Sequence, residues 1–190
     1  DFSGLDVVLM ASSPQHALDE IRRALRSEVA CIDCSGALLG AEEVPLLVAG
    51  PGESDSAWSA PLVCSPTDAS LSWIRVLRVL DREAGVVGVS GSVLHSASIQ
   101  GHAGMEELSL QTLALLSQNE APLAEVFPAQ VAFDCFPHRA ESEPEGDAMM
   151  AATEAKLVLS LRRSLGTKMR FSATSIQVPA FAGEGSALCV

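Results

Sequence analysis

The chain has 190 residues, 48% hydrophobic and 19% charged, with a formal net charge of −12. That is room for one large domain or two small ones; the chain is too apolar for disorder, and no apolar run approaches the roughly 18 residues of a membrane span. Lys and Arg number 12 against 24 Asp and Glu, which argues against nucleic acid as a partner, because phosphate binding needs clustered cations. The opening Asp1-Phe2-Ser3-Gly4 has no initiating Met, no basic segment and no apolar leader, and points to a piece of a longer protein without a secretory signal.

Leu5-Asp6-Val7-Val8-Leu9-Met10-Ala11 is an almost continuous apolar run, expected as a parallel strand covered on both faces. Ser13-Pro14 is an N-cap followed by proline at the first helical position. A helix over 14–27 follows, with Ala17, Leu18, Ile21 and Leu25 inward and Arg22, Arg23 and Arg26 outward. Val29-Ala30-Cys31-Ile32-Asp33 is the next strand, and strand, helix, strand within about 30 residues makes a right-handed βαβ unit. Residues 44–48 suggest another short strand, and 49–60 a Gly/Ser/Pro-rich loop. Five cysteines, mostly in apolar runs (Cys31, Cys64, Cys135, Cys189), suit reduced, buried thiols and a cytoplasmic location. Cys31-Ile32-Asp33-Cys34 has CxxC spacing but no second Cys or His pair, so no metal is expected.

Leu62-Val63-Cys64 reads as a buried strand broken by Ser65-Pro66. Asp68 or Ser70 is placed to cap a helix over about 69–83, whose face of Leu71, Ile74, Leu77 and Leu80 is widened by Trp73, Val76 and Val79 towards burial on most sides. A strand-turn-helix of this kind presents a turn side chain to the crevice at the strand's C-terminal end, where α/β folds bind ligands. After Gly85 the texture changes: 86–97 alternates, with Val87, Val89, Val93 and His95 on one face, as in an antiparallel or mixed sheet. A helix over 105–117 follows, with a buried stripe of Met105, Leu108, Leu115 and Leu116. Residues 126–136 look strand-like, 137–146 form a charged loop, and 151–165 a helix closed by Gly166. The alternating run 168–178, ended by Pro179, is a long strand, and 186–190 begins another that the chain leaves unfinished.

This organisation resembles the aspartate-semialdehyde dehydrogenase family. The local sequences that carry it are Phe2-Ser3-Gly4-Leu5-Asp6-Val7, Ile32-Asp33-Cys34-Ser35, Gly104-Met105-Glu106-Glu107-Leu108, Phe127-Pro128-Ala129-Gln130-Val131-Ala132-Phe133, Ser172-Ala173-Thr174 and Val178-Pro179-Ala180-Phe181. The resemblance implies the latter part of a Rossmann-like parallel domain (1–68), a linking helix at the old active site (69–85), and a glyceraldehyde-phosphate-dehydrogenase-like α+β domain (86–190). It further implies a homodimer formed through that last domain, and NADP or NAD as cofactor, with cofactor-side contacts at Ser12 and Ser35.

Family enzymes use a cysteine thiolate, a histidine acid/base and hydride from NADPH. Here the position of the nucleophile reads Asp68 and that of the acid/base reads Glu184. The substrate-type crevice maps onto His95, Lys156 and Gln177, with Gln177 in place of an arginine and Thr153 in place of a glutamate. Asp68 cannot form the thioester that accepts hydride, Glu184 moves protons only with a raised pKa, and Gln177 cannot neutralise a carboxylate as an arginine fork does. The pattern resembles the divergent Usg-type branch, in which the fold outlives the catalytic residues. Two other readings stand beside it: an active dehydrogenase with Cys64 as relocated nucleophile and His95 or His102 as acid/base, and a pure protein-interaction module. His95 is read more simply as a neutral, hydrogen-bonded residue on a sheet face, while His16 and His138 carry no signal.

Overall fold

The computed structural model describes residues 2–48, 60–138 and 152–190. These divide into two compact units, Asp1–Val87 with Lys156–Phe171, and Gly88–Ala155 with Ser172–Val190. The loop expected over 49–60 and most of that over 137–146 lie outside the described residues.

The first unit is built on three parallel strands, β1 (Val7–Met10), β2 (Ala30–Asp33) and β3 (Leu62–Cys64), in the order β1-β2-β3. Helix α1 (Pro14–Arg26) connects the first two and buries Ala17, Ile21 and Ala24 against Met10, Val29 and Cys31. The βαβ expectation therefore holds. Among the described residues β1 pairs with β2 alone, its face towards α1 is packed, and Val7 and Leu9 are 47% and 63% exposed. Residues 44–48 do not form a full strand; Leu46 makes a single bridge to Cys64.

Helix α2 spans Asp68–Ala84, with Thr67 rather than Asp68 or Ser70 at the N-cap. The Ser70 hydroxyl turns back on Thr67, accepting from its hydroxyl and donating to its carbonyl, which leaves Asp68 exposed on the first turn. Trp73, Ile74 and Leu77 are fully buried, but Val76 and Val79 are half exposed, so the helix has one covered stripe and not burial on most sides. Its C-terminus closes at Gly85, whose φ of 72° is costly for residues with a Cβ.

The second unit carries a four-stranded mixed sheet in the order β5-β6-β4-β7, from β4 (Gly88–His95), β5 (Phe136–Pro137), β6 (Arg170–Gln177) and β7 (Glu184–Cys189). β4–β7 and β5–β6 are antiparallel. β6 runs parallel to β4, its N–H groups at Arg170 and Val178 bonding the carbonyls of Val87 and His95. The expected alternation of β4 holds for Val89, Val93 and His95, while Val87 precedes the strand and is 71% exposed. The opposite face presents Ser90, Ser92, Leu94, Thr174 and Ile176 and, across the β4–β7 register, Gly185, Ala187 and Cys189.

A short 3-10 turn (Ala97–Gln100) runs into α3 (Gly101–Leu116), four residues earlier than the periodicity predicts. Gly104 is required there by close approach: a Cβ would stand 2.5 Å from the Ala97 carbonyl oxygen. The fully buried stripe of α3 is Gly104, Glu107, Leu108 and Gln111; of the apolar row expected, Leu108 is buried, Met105 and Leu115 pack partly against the core, and Leu116 is 70% exposed. Of residues 126–136 Phe136 alone is in a strand, as the first residue of β5. Their backbone N–H groups go to α3 side chains: Glu107 accepts from Glu125, Val126 and Phe127, and Gln111 from Val131 and Ala132. The apolar side chains Phe127, Val131 and Ala132 still pack with Ala97 and Leu108. Helix α4 (Ala152–Leu165) and β6 each contribute residues to both units.

Candidate functional site

In the first unit the C-terminal ends of the parallel strands carry Met10, Asp33 and Cys64, the place where α/β sheets present ligands. Asp33 is fully buried and its carboxylate is consumed locally. It accepts from Ser35 N at 2.9 Å, Ser35 Oγ at 2.6 Å and Leu38 N at 2.8 Å, and Cys64 Sγ lies 3.8 Å away. The Ser35 hydroxyl therefore spends its proton on Asp33 and accepts from Ala37 N at 3.2 Å. It retains acceptor capacity alone, which fits a sugar hydroxyl and does not fit a phosphate oxygen. Ser12 is exposed just beyond β1. Arg163 of α4 secures the same loop by donating to the carbonyls of Leu38, Leu39 and Val44. Its position in the last helical turn reads in sequence as a dipole complement, so its anchoring role has no local signal.

The thiols separate by environment. Cys31 and Cys64 are buried, but Cys34, Cys135 and Cys189 are exposed, which corrects the expectation for Cys135 and Cys189. Burial, then the Asp33 carboxylate, pushes the Cys64 thiol up to about 12. Cys34 is also raised, by desolvation first and then by Asp33 and Asp68. At neutral pH both are thiols, the poor nucleophile of the pair thiol and thiolate.

The second unit brings three of the residues singled out in sequence together. His95 ends β4 and is 4% exposed; in the β4–β7 register it faces Glu184, the first residue of β7. His95 Nδ1 lies 3.5 Å from Glu184 Oε2 without a hydrogen bond, and neither ring nitrogen has a hydrogen-bond partner. Gln177, fully buried at the end of β6, donates from Nε2 to the His95 carbonyl at 2.9 Å and more weakly to that of Val178. Its Oε1 lies 3.1 Å from His138 Nδ1, which places the proton on that nitrogen. The His138 ring packs against His95, centroids 4.4 Å apart and tilted by 39°.

His138 carries no sequence signal, yet it is 6% exposed and joins the cluster because its N–H continues the β5–β6 ladder onto the Ser175 carbonyl. Glu154, next to the Thr153 singled out in sequence, accepts from Ser175 N at 2.8 Å. His95 thus lies on the expected sheet face but without the expected hydrogen-bonded partner for its ring. Asp68 and Lys156 belong to the first unit, and both are exposed. Thr153 is half-buried and His102 is exposed.

Among the described residues no group of three or more His, Cys, Asp or Glu is placed to hold a metal ion, and no helix is long and apolar enough to cross a membrane. A cavity of about 290 Å3 beside α3, lined by Ala103, Glu106, Leu110, Pro122, Leu123 and Val126 among others, involves none of the residues mapped to the old active site.

No protein-family model matches the chain. Over 186 residues it is 29% identical to an aspartate-semialdehyde dehydrogenase of Rickettsia bellii, an overlap of 96% of this chain and 54% of that protein. It is 28% identical over 187 residues to a USG-1 protein homolog of Pseudomonas aeruginosa, covering 97% and 54%. The solved structure of a probable aspartate-semialdehyde dehydrogenase from Pseudomonas aeruginosa matches with a TM-score of 0.86 at 25% identity, covering 99% of this chain and 56% of that one. The chain spans about half the length of the curated relatives it matches. The Rossmann-like portion and the glyceraldehyde-phosphate-dehydrogenase-like mixed sheet are the corresponding parts of that architecture. In sequence and in fold, over nearly its whole length, the chain is similar to aspartate-semialdehyde dehydrogenases and to a USG-1 protein homolog.

Proposed function

We propose that the protein is an aspartate-semialdehyde dehydrogenase-like pseudoenzyme: a cytoplasmic, dimeric scaffold that binds NADP or NAD and does not carry out the semialdehyde reaction. The observation that carries this reading is the state of the nucleophile. The position that resembles the family's catalytic cysteine is Asp68, an exposed carboxylate on the first turn of α2. The neighbouring thiol, Cys64, is fully buried and held protonated, its pKa pushed up to about 12. A carboxylate does not yield the thioester from which a hydride acceptor is made, and a buried thiol does not attack.

Two further substitutions support the same reading. Gln177 stands where the resemblance has a substrate-binding arginine, and its amide is used up on backbone carbonyls and His138. Glu184 stands where the family has its histidine and faces His95 instead of a nucleophile. On this reading residues 1–68 are the cofactor-side domain, 69–85 the linking helix and 86–190 the dimerisation domain. NADP or NAD would meet the protein at the β1 and β2 ends, where Ser12 offers a hydroxyl and Ser35 an acceptor. Bound there, the nicotinamide cofactor supplies hydride chemistry; this chain's residues supply only its binding surface.

The test is an NADPH-linked assay of the full-length protein with aspartyl phosphate, and in reverse with aspartate semialdehyde, alongside calorimetric titration with NADP and NAD. The expected result is saturable dinucleotide binding without turnover. Turnover that Cys64→Ser abolishes overturns the inactivity and establishes a relocated nucleophile. Absence of dinucleotide binding removes the cofactor from the proposal and leaves a protein-interaction module.

A further inference from the structure

We infer that the groove along α3 is a docking site for a basic amphipathic helix of a partner protein. The inference goes beyond the reading above and does not depend on it, because the groove takes in none of the residues mapped to the old active site. Its cavity of about 290 Å3 has two walls: Ala103, Glu106 and Leu110 of α3, and Pro122, Leu123 and Glu125 of the segment that returns beside it. Ala103, Glu106 and Leu110 share one helical face, and Leu113 extends that face by a turn.

The helix is apolar on two sides. Met105, Leu108 and Leu115 pack into the core of its own unit, whereas Leu110 and Leu113 are 52% and 60% exposed, and across the groove Leu123 is 89% exposed. A helix of this composition belongs with both sides covered. The groove is also preformed. Glu107 accepts the N–H groups of Glu125 and Val126 and so fixes the second wall against the first. With those N–H groups spent, the wall offers no ladder to an extended strand. Recognition falls to side chains, as when a helix lays its apolar anchors into a groove.

Charge selects the occupant. Glu106 and Glu125 stand exposed on opposite walls. From Glu83 to His138 the sequence contains no Lys or Arg, and the whole second unit has eleven Asp and Glu against Arg139 alone. A second copy docked through the same face would bring one acidic groove against another, and an anionic membrane surface would be repelled in the same way. A partner helix with leucine-like anchors at i, i+3, i+4 and i+7 and Lys or Arg on their flanks fills the groove and meets both carboxylates. The acidic unit also speeds its encounter with such a partner.

The experiment titrates the full-length protein with three labelled synthetic peptides, followed by fluorescence anisotropy and by the methyl NMR signals of Leu110, Leu113 and Leu123. One peptide is an amphipathic helix with Leu at the spacing above and Lys on its flanks. The second is its twin with Glu for every Lys, and the third a basic scramble of the first that destroys the apolar stripe. The first is expected to bind saturably, at least about tenfold more tightly than either of the others, to move those methyl signals and to weaken as salt is raised. Leu123→Asp, at a position too exposed to endanger the fold, is expected to weaken it at least about tenfold, and Glu106→Lys with Glu125→Lys to transfer the preference to the acidic twin. No saturable binding overturns the inference, the result that leucines covered elsewhere in the full-length protein would also give. Equal binding by the scramble or by the acidic twin overturns it too, as does an affinity that Leu123→Asp leaves unchanged. These outcomes are separate from the dehydrogenase assay: turnover would sink the pseudoenzyme reading without touching the groove, and failure to dock would leave the inactivity as it stands.

Discussion

Cys64 shows how much one residue's surroundings alter its chemistry. In sequence it is a thiol four residues from the old nucleophile position; in the fold it is sealed beneath the β2–β3 ends with Asp33 at 3.8 Å. Its ordinary value is 9.0 and folding raises it to about 12, so the folded chain retains a proton the unfolded chain gives up. The stability tied to that proton is complete below about pH 9 and is lost as pH rises through 12, by at most about 1.4 kcal/mol per pH unit for one thiol. Urea unfolding at pH 8 and at about pH 10.5 checks this: the unsubstituted protein should lose more stability than Cys64→Ala. The upward direction follows from burial, which Leu62-Val63-Cys64 already implies; the added contribution of Asp33 was not legible, because it is 31 positions away in sequence.

Among the elements, α3 departs furthest from its sequence pattern. Of the predicted row Leu108, Met105 and Leu115 do pack, but the helix also turns Glu107 and Gln111 inward and leaves Leu116 70% exposed. Side-chain acceptors one turn apart take the N–H groups of residues 125–132, and a segment whose donors are spent this way cannot join a ladder. That is why residues 126–135 carry strand-like residues without being a strand. Glu107→Gln puts an amide N–H against N–H donors, and the expected cost is about 1–3 kcal/mol. Denaturant midpoints measure it, and amide exchange at Val126 should accelerate more than at Val93; an unchanged midpoint contradicts the role given to Glu107. Elements whose packing is local were legible: the βαβ unit and the alternation of β4 follow from periods of 3.6 and 2. Elements held by side chains from elsewhere were not.

At the scale of the whole molecule, the predicted dimer rests on the second sheet. The face away from His95 presents the small or hydroxylated Ser90, Ser92, Thr174, Ala187 and Cys189 beside the half-buried Leu94 and Ile176. Small residues allow two sheets to approach closely, and a two-fold pairing through this face satisfies each copy with the same surface. Ser92→Arg places a charge and a long side chain in the middle of that face. It should convert a dimer to a monomer at micromolar concentration in sedimentation equilibrium, with the fold retained; a monomer before substitution, or a dimer after it, rejects the interface. The site was partly legible at this scale. His95, Gln177 and Glu184 map onto it through the family resemblance and do converge, but His138 enters only because β5 pairs with β6.

The β4–β7 register also sets a timetable. His95 and Glu184 stand opposite each other though about 90 positions apart in the chain, whereas the Glu107 and Gln111 contacts close loops of about 20. Loop closure favours the short circuits, so α3 and its wrapping segment should be in place while β7 is still searching for its partner. The carboxylate that faces His95 then arrives after them. On the ribosome, as in a refolding tube, the ring environment of His95 reports when β7 has been zipped onto β4.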